Sequence, residues 1–419
     1  MLNTVRKDDQ QKQFRRGAFW NMMGSGFMAA NTVLLTMLAG HYSNLEQVGI
    51  FTLSLTTSQV LYSVGLWGAN DLQMTDYSRR YSFSNYFWMK VGSTAVAIFL
   101  CLAAVSLLGF GETACRYTVL LTGFMMVNSF AELYQSLYFQ NQRLDLSGKS
   151  LFFRYLLSTF AFMAALIKTR TITYACVSML IVDVAVTAYW IWRYAPQFRD
   201  SGYDFQMEKT WRLVREAFPL GVSVLASLVL MNAQNYIIYL LISDEAQGAY
   251  TLLFMPVYAV NLLSQFIFKP YLHQYSLMLK DGQKGFRRLF TKQVFSIEII
   301  VILGAMCIWI LGVPLFALFF GQNLSQYRNL MVLFMISGGF LAVNQLLYFL
   351  MVILGKRKEL LLNYMISIVI TIPVGVIMIS RIVLGGAWLS FTVSQMCLMA
   401  GYFFVLRSHF AGKRPVGET

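Results

Sequence analysis

Long apolar runs, separated by short polar stretches, dominate the chain. Twelve of these runs are predicted as helices: Gly17–Gly40, Val48–Gly68, Tyr86–Leu108, Tyr117–Phe139, Leu151–Ile167, Thr173–Tyr194, Phe218–Ile242, Ala249–Phe268, Phe295–Phe320, Leu330–Leu354, Leu361–Ile382 and Ala387–Leu406. Each is close to the length of about 20 residues that lets a helix cross a bilayer core. A transmembrane β-barrel would instead show strands alternating over about 10 residues. The pattern predicts an all-α integral membrane protein, and an even number of crossings puts both ends on one side.

One stretch, Ala217–Pro270, shows the plan most clearly. Two membrane-length runs flank a tight polar turn, Ser243–Gly248, and the first run carries Asn232, Gln234 and Asn235. An earlier turn echoes it at constant offset: Glu46, Gly49, Thr52 and Leu53 match Glu245, Gly248, Thr251 and Leu252. A second echo pairs Gly123, Phe124, Val127 and Asn128 with Gly339, Phe340, Val343 and Asn344. The chain therefore reads as one six-helix module used twice, as parallel repeats about an axis along the membrane normal. The predicted organisation is an N-terminal segment 1–16, an N-lobe 17–194, a linker 195–216, a C-lobe 217–406 and a tail 407–419.

Charge orients this plan. Lys and Arg cluster in alternate connections, such as Arg6–Arg16, Arg79–Lys90, Arg143–Arg154, Arg193–Arg215, Lys269–Lys292, Lys356–Lys358 and Arg407–Arg414. The opposite side holds only Arg116, Lys168, Arg170, Arg328 and Arg381. The positive-inside rule makes the rich side, with both termini, cytoplasmic. The net charge of +14 is read as this bias and not as a nucleic-acid surface. Only 12% of residues are charged, against roughly 25% in soluble domains. The first run is too long for a signal-peptide core and is read as a retained helix. Five scattered cysteines contain no CxxC pair, and the three histidines stand in separate loops, so neither a disulfide framework nor a metal set is indicated.

No GxxxxGK[ST] and no HExxH occurs, and the outer loops are too short to gather catalytic carboxylates. The expectation is a transporter without cofactor, not an enzyme. Ionisable groups inside helices are functional candidates because hydrocarbon penalises them. Asp183 lies mid-helix and Glu132 lies about 12 Å from a helix end; both are candidate ion-coupling carboxylates. Asn31, Asn128, Asn232, Gln234, Asn235 and Asn344 form a polar set. They serve either as glue between helices or as the wall of a wet cavity, where amides suit sugar hydroxyls because both donate and accept.

The opening GAFWNMMGSG (Gly17–Gly26), the turn NLEQVGIFTL (Asn44–Leu53), the loop with Gln73, Asp76 and YSFSNYF (Tyr81–Phe87), and FPLG…NAQNY…SDEAQGAYTLLFMP in the second half carry a resemblance. In this ordered set the chain resembles the polysaccharide-transport branch of the MOP flippase superfamily, which includes Wzx-type flippases of lipid-linked oligosaccharides. The resemblance implies a two-lobed V with a central cavity that alternates between inward-open and outward-open forms. It implies residence in the bacterial cytoplasmic membrane and an undecaprenyl-diphosphate-linked glycan as cargo, with a polymerase and glycosyltransferases as partners. Lys90, Arg143, Lys149 and Arg154 are then candidates to attract the diphosphate at the inner mouth; positive-inside topology alone accounts for each of them equally. The first helix carries no charge, unlike the carboxylate-bearing first helix of many multidrug exporters of the superfamily. Two alternatives stand beside this: another secondary transporter, although a major-facilitator GxxxDRxGRR loop is absent from Gly68–Arg80, and a membrane glycan polymerase or glycosyltransferase.

Overall fold

The computed structural model describes residues 2–75, 79–107, 109–141, 143–198, 206–268 and 285–411, with 271, 275 and 278. The helices are α1 (Leu2–Tyr42), α2 (Leu45–Leu66), α3 (Ala69–Thr75), α4 (Phe83–Leu107), α5 (Glu112–Gln140), α6 (Leu144–Thr169), α7 (Ile172–Tyr194), α8 (Met207–Leu241), α9 (Asp244–Leu253), α10 (Met255–Phe268), α11 (Phe286–Phe320), α12 (Arg328–Ile353), α13 (Arg357–Ile382) and α14 (Leu384–Ala411). Among the described residues, nine helices are long and apolar enough to cross a membrane. Their outward faces are greasy: Phe99 on α4 is 69% exposed and Ile310 on α11 is 62% exposed. A surface of this kind is stable against lipid tails and not against water.

Three predicted runs fall on helices outside those nine, and each for a physical reason. Helices α2 and α5 are long enough but carry too much polarity. That polarity faces inward: Thr52, Ser54, Thr57 and Ser58 on α2 are all buried. Ser58 Oγ lies 3.1 Å from Thr122 Oγ1 of α5, and Ser54 Oγ donates to the Ala114 carbonyl at 3.2 Å. The third run, Ala249–Phe268, is broken at Phe254 into α9 and α10. Pro256 has no N–H to offer the carbonyl four residues back, so the α-helical ladder cannot continue through it.

Contacts divide the chain into two compact units, Met1–Leu225 and Ala226–Thr419. The division falls inside α8. The reason is packing: Leu213 and Ala217 of α8 are fully buried in a cluster with Tyr81, Tyr86, Tyr138 and Trp190 of the first unit.

Within unit 1, α1 lies along α6, α6 along α7, α2 along α5, and α5 along α7, while α4 covers α2 and α5. Within unit 2, α13 lies along α14, α10 along α12, α12 along α14, and α11 covers α12 and α10. Apart from the α1–α6 seam, these pairings recur in each unit. The turns match too: Arg170 between α6 and α7 and Val383 between α13 and α14 both take positive φ, 54° and 47°.

The α1–α6 contact depends on glycine. A Cβ on Gly148 would lie 2.3 Å from the Asn21 backbone nitrogen, and one on Gly17 would lie 2.7 Å from Leu144 Cβ. Close backbone approach of this kind replaces the hydrophobic drive that lipid-embedded helices lack. Asn31 Nδ2 adds a hydrogen bond to Thr159 Oγ1 at 2.7 Å across the same seam. Gly148→Ala is expected to lower stability by about 1–3 kcal/mol through overpacking, seen as a fall in Tm of the detergent-purified protein. Gly26→Ala, which meets nothing within 4 Å, serves as the neutral control.

Candidate functional site

Helix α5 is the spine of a charged cluster inside unit 1. Asn128 and Glu132 stand one turn apart on it, so their side chains leave the same face. Asn128 Nδ2 donates to Asp183 Oδ2 of α7 at 3.2 Å and to the Phe124 carbonyl at 2.7 Å. Glu132 accepts from the Tyr62 hydroxyl of α2 on one oxygen and from Asn70 Nδ2 of α3 on the other. Ser129, between them, takes a hydrogen bond from Lys90 Nζ of α4 at 3.3 Å. Lys90 also donates to the Gly65 carbonyl at 3.2 Å and to Asn70 Oδ1 at 3.1 Å. Asn70 thus bridges the ammonium and the Glu132 carboxylate.

The second half of the cluster is looser. Arg154 of α6 and Asp183 are both fully buried, with Nε 3.6 Å from Oδ1. That distance is beyond a hydrogen bond. The guanidinium carbon sits 5.2 Å over the Tyr155 ring. None of the Arg154 nitrogens, nor Asp183 Oδ1, has a hydrogen-bond partner among the described residues. A guanidinium offers five N–H donors, and leaving them unmade in a buried site is expensive. The arrangement therefore has spare donor capacity next to a carboxylate. Lys90 and Arg154 formally balance Glu132 and Asp183, so uptake of one proton leaves an excess positive charge.

Five sequence candidates thus converge: Lys90, Asn128, Glu132, Arg154 and Asp183. Lys90 and Arg154, placed by the sequence at an inner mouth, are wholly enclosed. They lie about 10 Å and 15 Å along α4 and α6 from the helix starts. Arg143 and Lys149 remain near the start of α6, where Arg143 pairs with Asp145 at 2.8 Å and Lys149 lies 5.6 Å over the Trp20 ring. Tyr62, Asn70 and Ser129 were not singled out from the sequence. The signal for them was Lys90 itself: a lysine two turns inside an apolar helix requires partners at the same depth.

The amides of unit 2 make a charge-free counterpart. Asn344 Nδ2 of α12 donates to the carbonyl and to Oε1 of Gln395 on α14, at 2.8 and 3.0 Å. Gln395 stands where the pairing order of unit 1 has Asp183. Gln234 Nε2 donates to Ser390 Oγ at 3.3 Å, and Asn235 Oδ1 accepts from Gln247 Nε2 at 3.0 Å. Asn232 bonds the Leu228 carbonyl of its own helix at 2.9 Å. All four, like Asn31 and Asn128, are buried. The amide oxygens of Asn128, Gln234 and Asn344 have no donor among the described residues, so the gluing function leaves acceptors over.

These features belong to a known class of fold. The chain shares the architecture of transporters of the MOP superfamily. An inward-facing multidrug resistance MATE family transporter of that superfamily superposes with a TM-score of 0.68 at 12% identity, over 96% of this chain and 100% of the other. The lipid II flippase MurJ, in an inward closed conformation, gives 0.70 at 12% identity over 93% and 88%. The eukaryotic MATE transporter AtDTX14 gives 0.67 at 13% over 95% and 96%. No family model and no curated protein sequence matches the chain.

Asp183→Ala is expected to destabilise the protein by on the order of 3–5 kcal/mol, because it strands a buried guanidinium. The double variant Arg154→Leu with Asp183→Leu should recover most of that loss. Thermal unfolding of the purified variants in one detergent measures both.

Proposed function

We propose that this protein is a secondary transporter that flips a lipid-linked oligosaccharide, with an undecaprenyl-diphosphate anchor, to the outer leaflet of the bacterial cytoplasmic membrane. It would use alternating access, with all twelve predicted runs crossing the bilayer and both termini cytoplasmic. The observation that carries the transport role is the buried Arg154–Asp183 pair with its unmade hydrogen bonds. A static membrane scaffold has no use for two enclosed charges at 3.6 Å, since a well-packed apolar pair of similar volume is as stable or more so. A device that must change its charge state does.

The chemistry runs as follows. With Asp183 ionised, its field holds the Arg154 guanidinium inside unit 1. Protonation of Asp183 removes that attraction and leaves a cation seeking an anion. A diphosphate supplies oxygen acceptors in the fork geometry that guanidinium matches best. Lys90 and Glu132, joined through Asn70, repeat the logic with a tighter clasp. Arg143 and Lys149 meet the diphosphate first at the inner mouth. Within unit 1 the leftover amide oxygen of Asn128, with Asn31, and within unit 2 those of Gln234 and Asn344, with Asn232 and Asn235, would accept from water or sugar hydroxyls. A polar wall is needed because a hydrophilic glycan must cross ~30 Å of hydrocarbon.

Support for the cargo comes from three sides. The sequence resembles Wzx-type flippases along most of its length. One neighbour in fold flips a lipid-linked precursor. The first helix lacks an ionisable residue between Gly17 and Gly40 other than His41 just beyond it, which sets the chain apart from exporters that carry a carboxylate there. Polymerase and glycosyltransferase partners would handle the glycan before and after transfer.

Reconstitution in liposomes with a fluorescent polyprenyl-diphosphate glycan and an imposed proton gradient tests this. Asp183→Asn is expected to abolish the gradient dependence of flipping while leaving slow downhill flipping. Arg154→Ala is expected to weaken binding of the diphosphate lipid at least tenfold, about 1.4 kcal/mol. Gradient dependence that survives in Asp183→Asn removes the carboxylate from the mechanism; binding that survives in Arg154→Ala removes the guanidinium.

A further inference from the structure

Unit 1 contains a second feature that the charged cluster does not use. Val64 and Trp67 at the end of α2, Trp88 to Val96 on α4, and Thr210 to Val214 on α8 enclose a groove of about 310 Å³. For scale, an engineered apolar cavity of about 150 Å³ takes up benzene. The lining is almost wholly apolar. The Ser93 hydroxyl donates to the Gly65 carbonyl at 2.8 Å, and the Thr210 hydroxyl to the Gln206 carbonyl at 3.2 Å. Only Trp67 Nε1 is left buried without an acceptor among the described residues.

The groove opens outward. Trp88, Val96 and Trp211 on its rim are 50%, 50% and 57% exposed, and a Cβ on Gly92 in its wall would meet nothing within 4 Å. From Trp88 to Val96 it runs about 12 Å along α4. It lies where α2 ends and α4 and α8 begin, the end of the bundle that carries the basic connections. Tryptophans at such a level mark the membrane–water interface. A cation stands at its mouth: Arg215 lies 5.6 Å over the Trp211 ring. The nearby acids are already engaged, Glu216 with Arg80 at 2.6 Å and Glu208 with Arg212 at 3.3 Å.

We infer that this groove binds one acyl chain of an anionic phospholipid from the cytoplasmic leaflet, with the phosphate held by Arg215. An apolar slot open to the bilayer takes a hydrocarbon chain because the chain fills it with van der Waals contacts and spares the leaflet a void, the hydrophobic drive being absent within lipid. The cationic rim selects the headgroup. A basic residue near an anionic leaflet surface attracts its headgroups. This site is separate from the transport path proposed above and does not require it.

The test uses the full-length protein in phosphatidylcholine vesicles doped with phosphatidylglycerol that bears a diazirine on one acyl chain. After irradiation, adducts are mapped by peptide mass spectrometry. Adducts between Trp88 and Val96 are expected to exceed those around Ile310, on the outward face of α11, roughly tenfold. Gly92→Trp and Gly92→Leu fill open space and are expected to abolish that excess while leaving the Ile310 adducts. Arg215→Ala is expected to remove the advantage of the phosphatidylglycerol probe over its phosphatidylcholine analogue. Equal labelling of both faces overturns the site, as does an excess that persists in both Gly92 variants. Displacement by undecaprenyl phosphate but not by unlabelled phosphatidylglycerol also overturns it. No transport is measured, so the outcome is independent of the cargo.

Discussion

Hydrocarbon cannot solvate a polar group, and that constraint shapes everything inside this protein. Arg154 and Asp183 show it at its sharpest. Their charges are tolerable only because they face each other, and because Asn128 braces the carboxylate from α5. To bring α6, α7 and α5 close enough for that, the bundle must be tight. Tightness begins at the α1–α6 seam, where Gly17 and Gly148 let the backbones touch. The glycine seam and the ion pair are thus parts of one mechanical statement, since α6 belongs to both.

The same constraint explains why α2 and α5 escape a simple hydropathy reading. Ser54 and Ser58 of α2 hide their hydroxyls in the α2–α5 interface, where they find carbonyls and the Thr122 hydroxyl. Polar helices can be central in a membrane bundle, while the greasiest helix, α11, is the most peripheral: Ile302, Leu303, Met306 and Ile310 all look outward. In a soluble protein the order is reversed.

Much of the fold was legible in the order of residues. Twelve apolar runs, the repeated EQVGIFTL-like turn and the Gly–Phe–Val–Asn echo describe a duplicated bundle, and the duplicated pairing order appears in the helix contacts. Helix ends were less legible. Helix α8 starts at Met207 and α11 at Phe286, well before their apolar runs, because basic amphipathic turns extend each helix beyond the hydrophobic length. For the site, Asp183, Glu132 and Lys90 were visible as misplaced charges. Their partners were not, because Tyr62, Asn70 and Ser129 are ordinary residues made special by three-dimensional placement alone. The sequence also allowed Arg154 to be an inner-mouth cation; its distance along α6 and its neighbours place it indoors.

The two units have diverged at one telling position. Where α7 carries Asp183, α14 carries Gln395, whose longer side chain ends in an amide that never ionises. At this matched position one unit carries a group that can take up a proton and the other does not. A voltage across the bilayer acts on a unit charge with about 2.3 kcal/mol per 100 mV, and it finds no handle on a set of amides. At the matched sites, then, a field has purchase on the Arg154–Asp183 pair of unit 1 and none on the Asn344–Gln395 pair of unit 2.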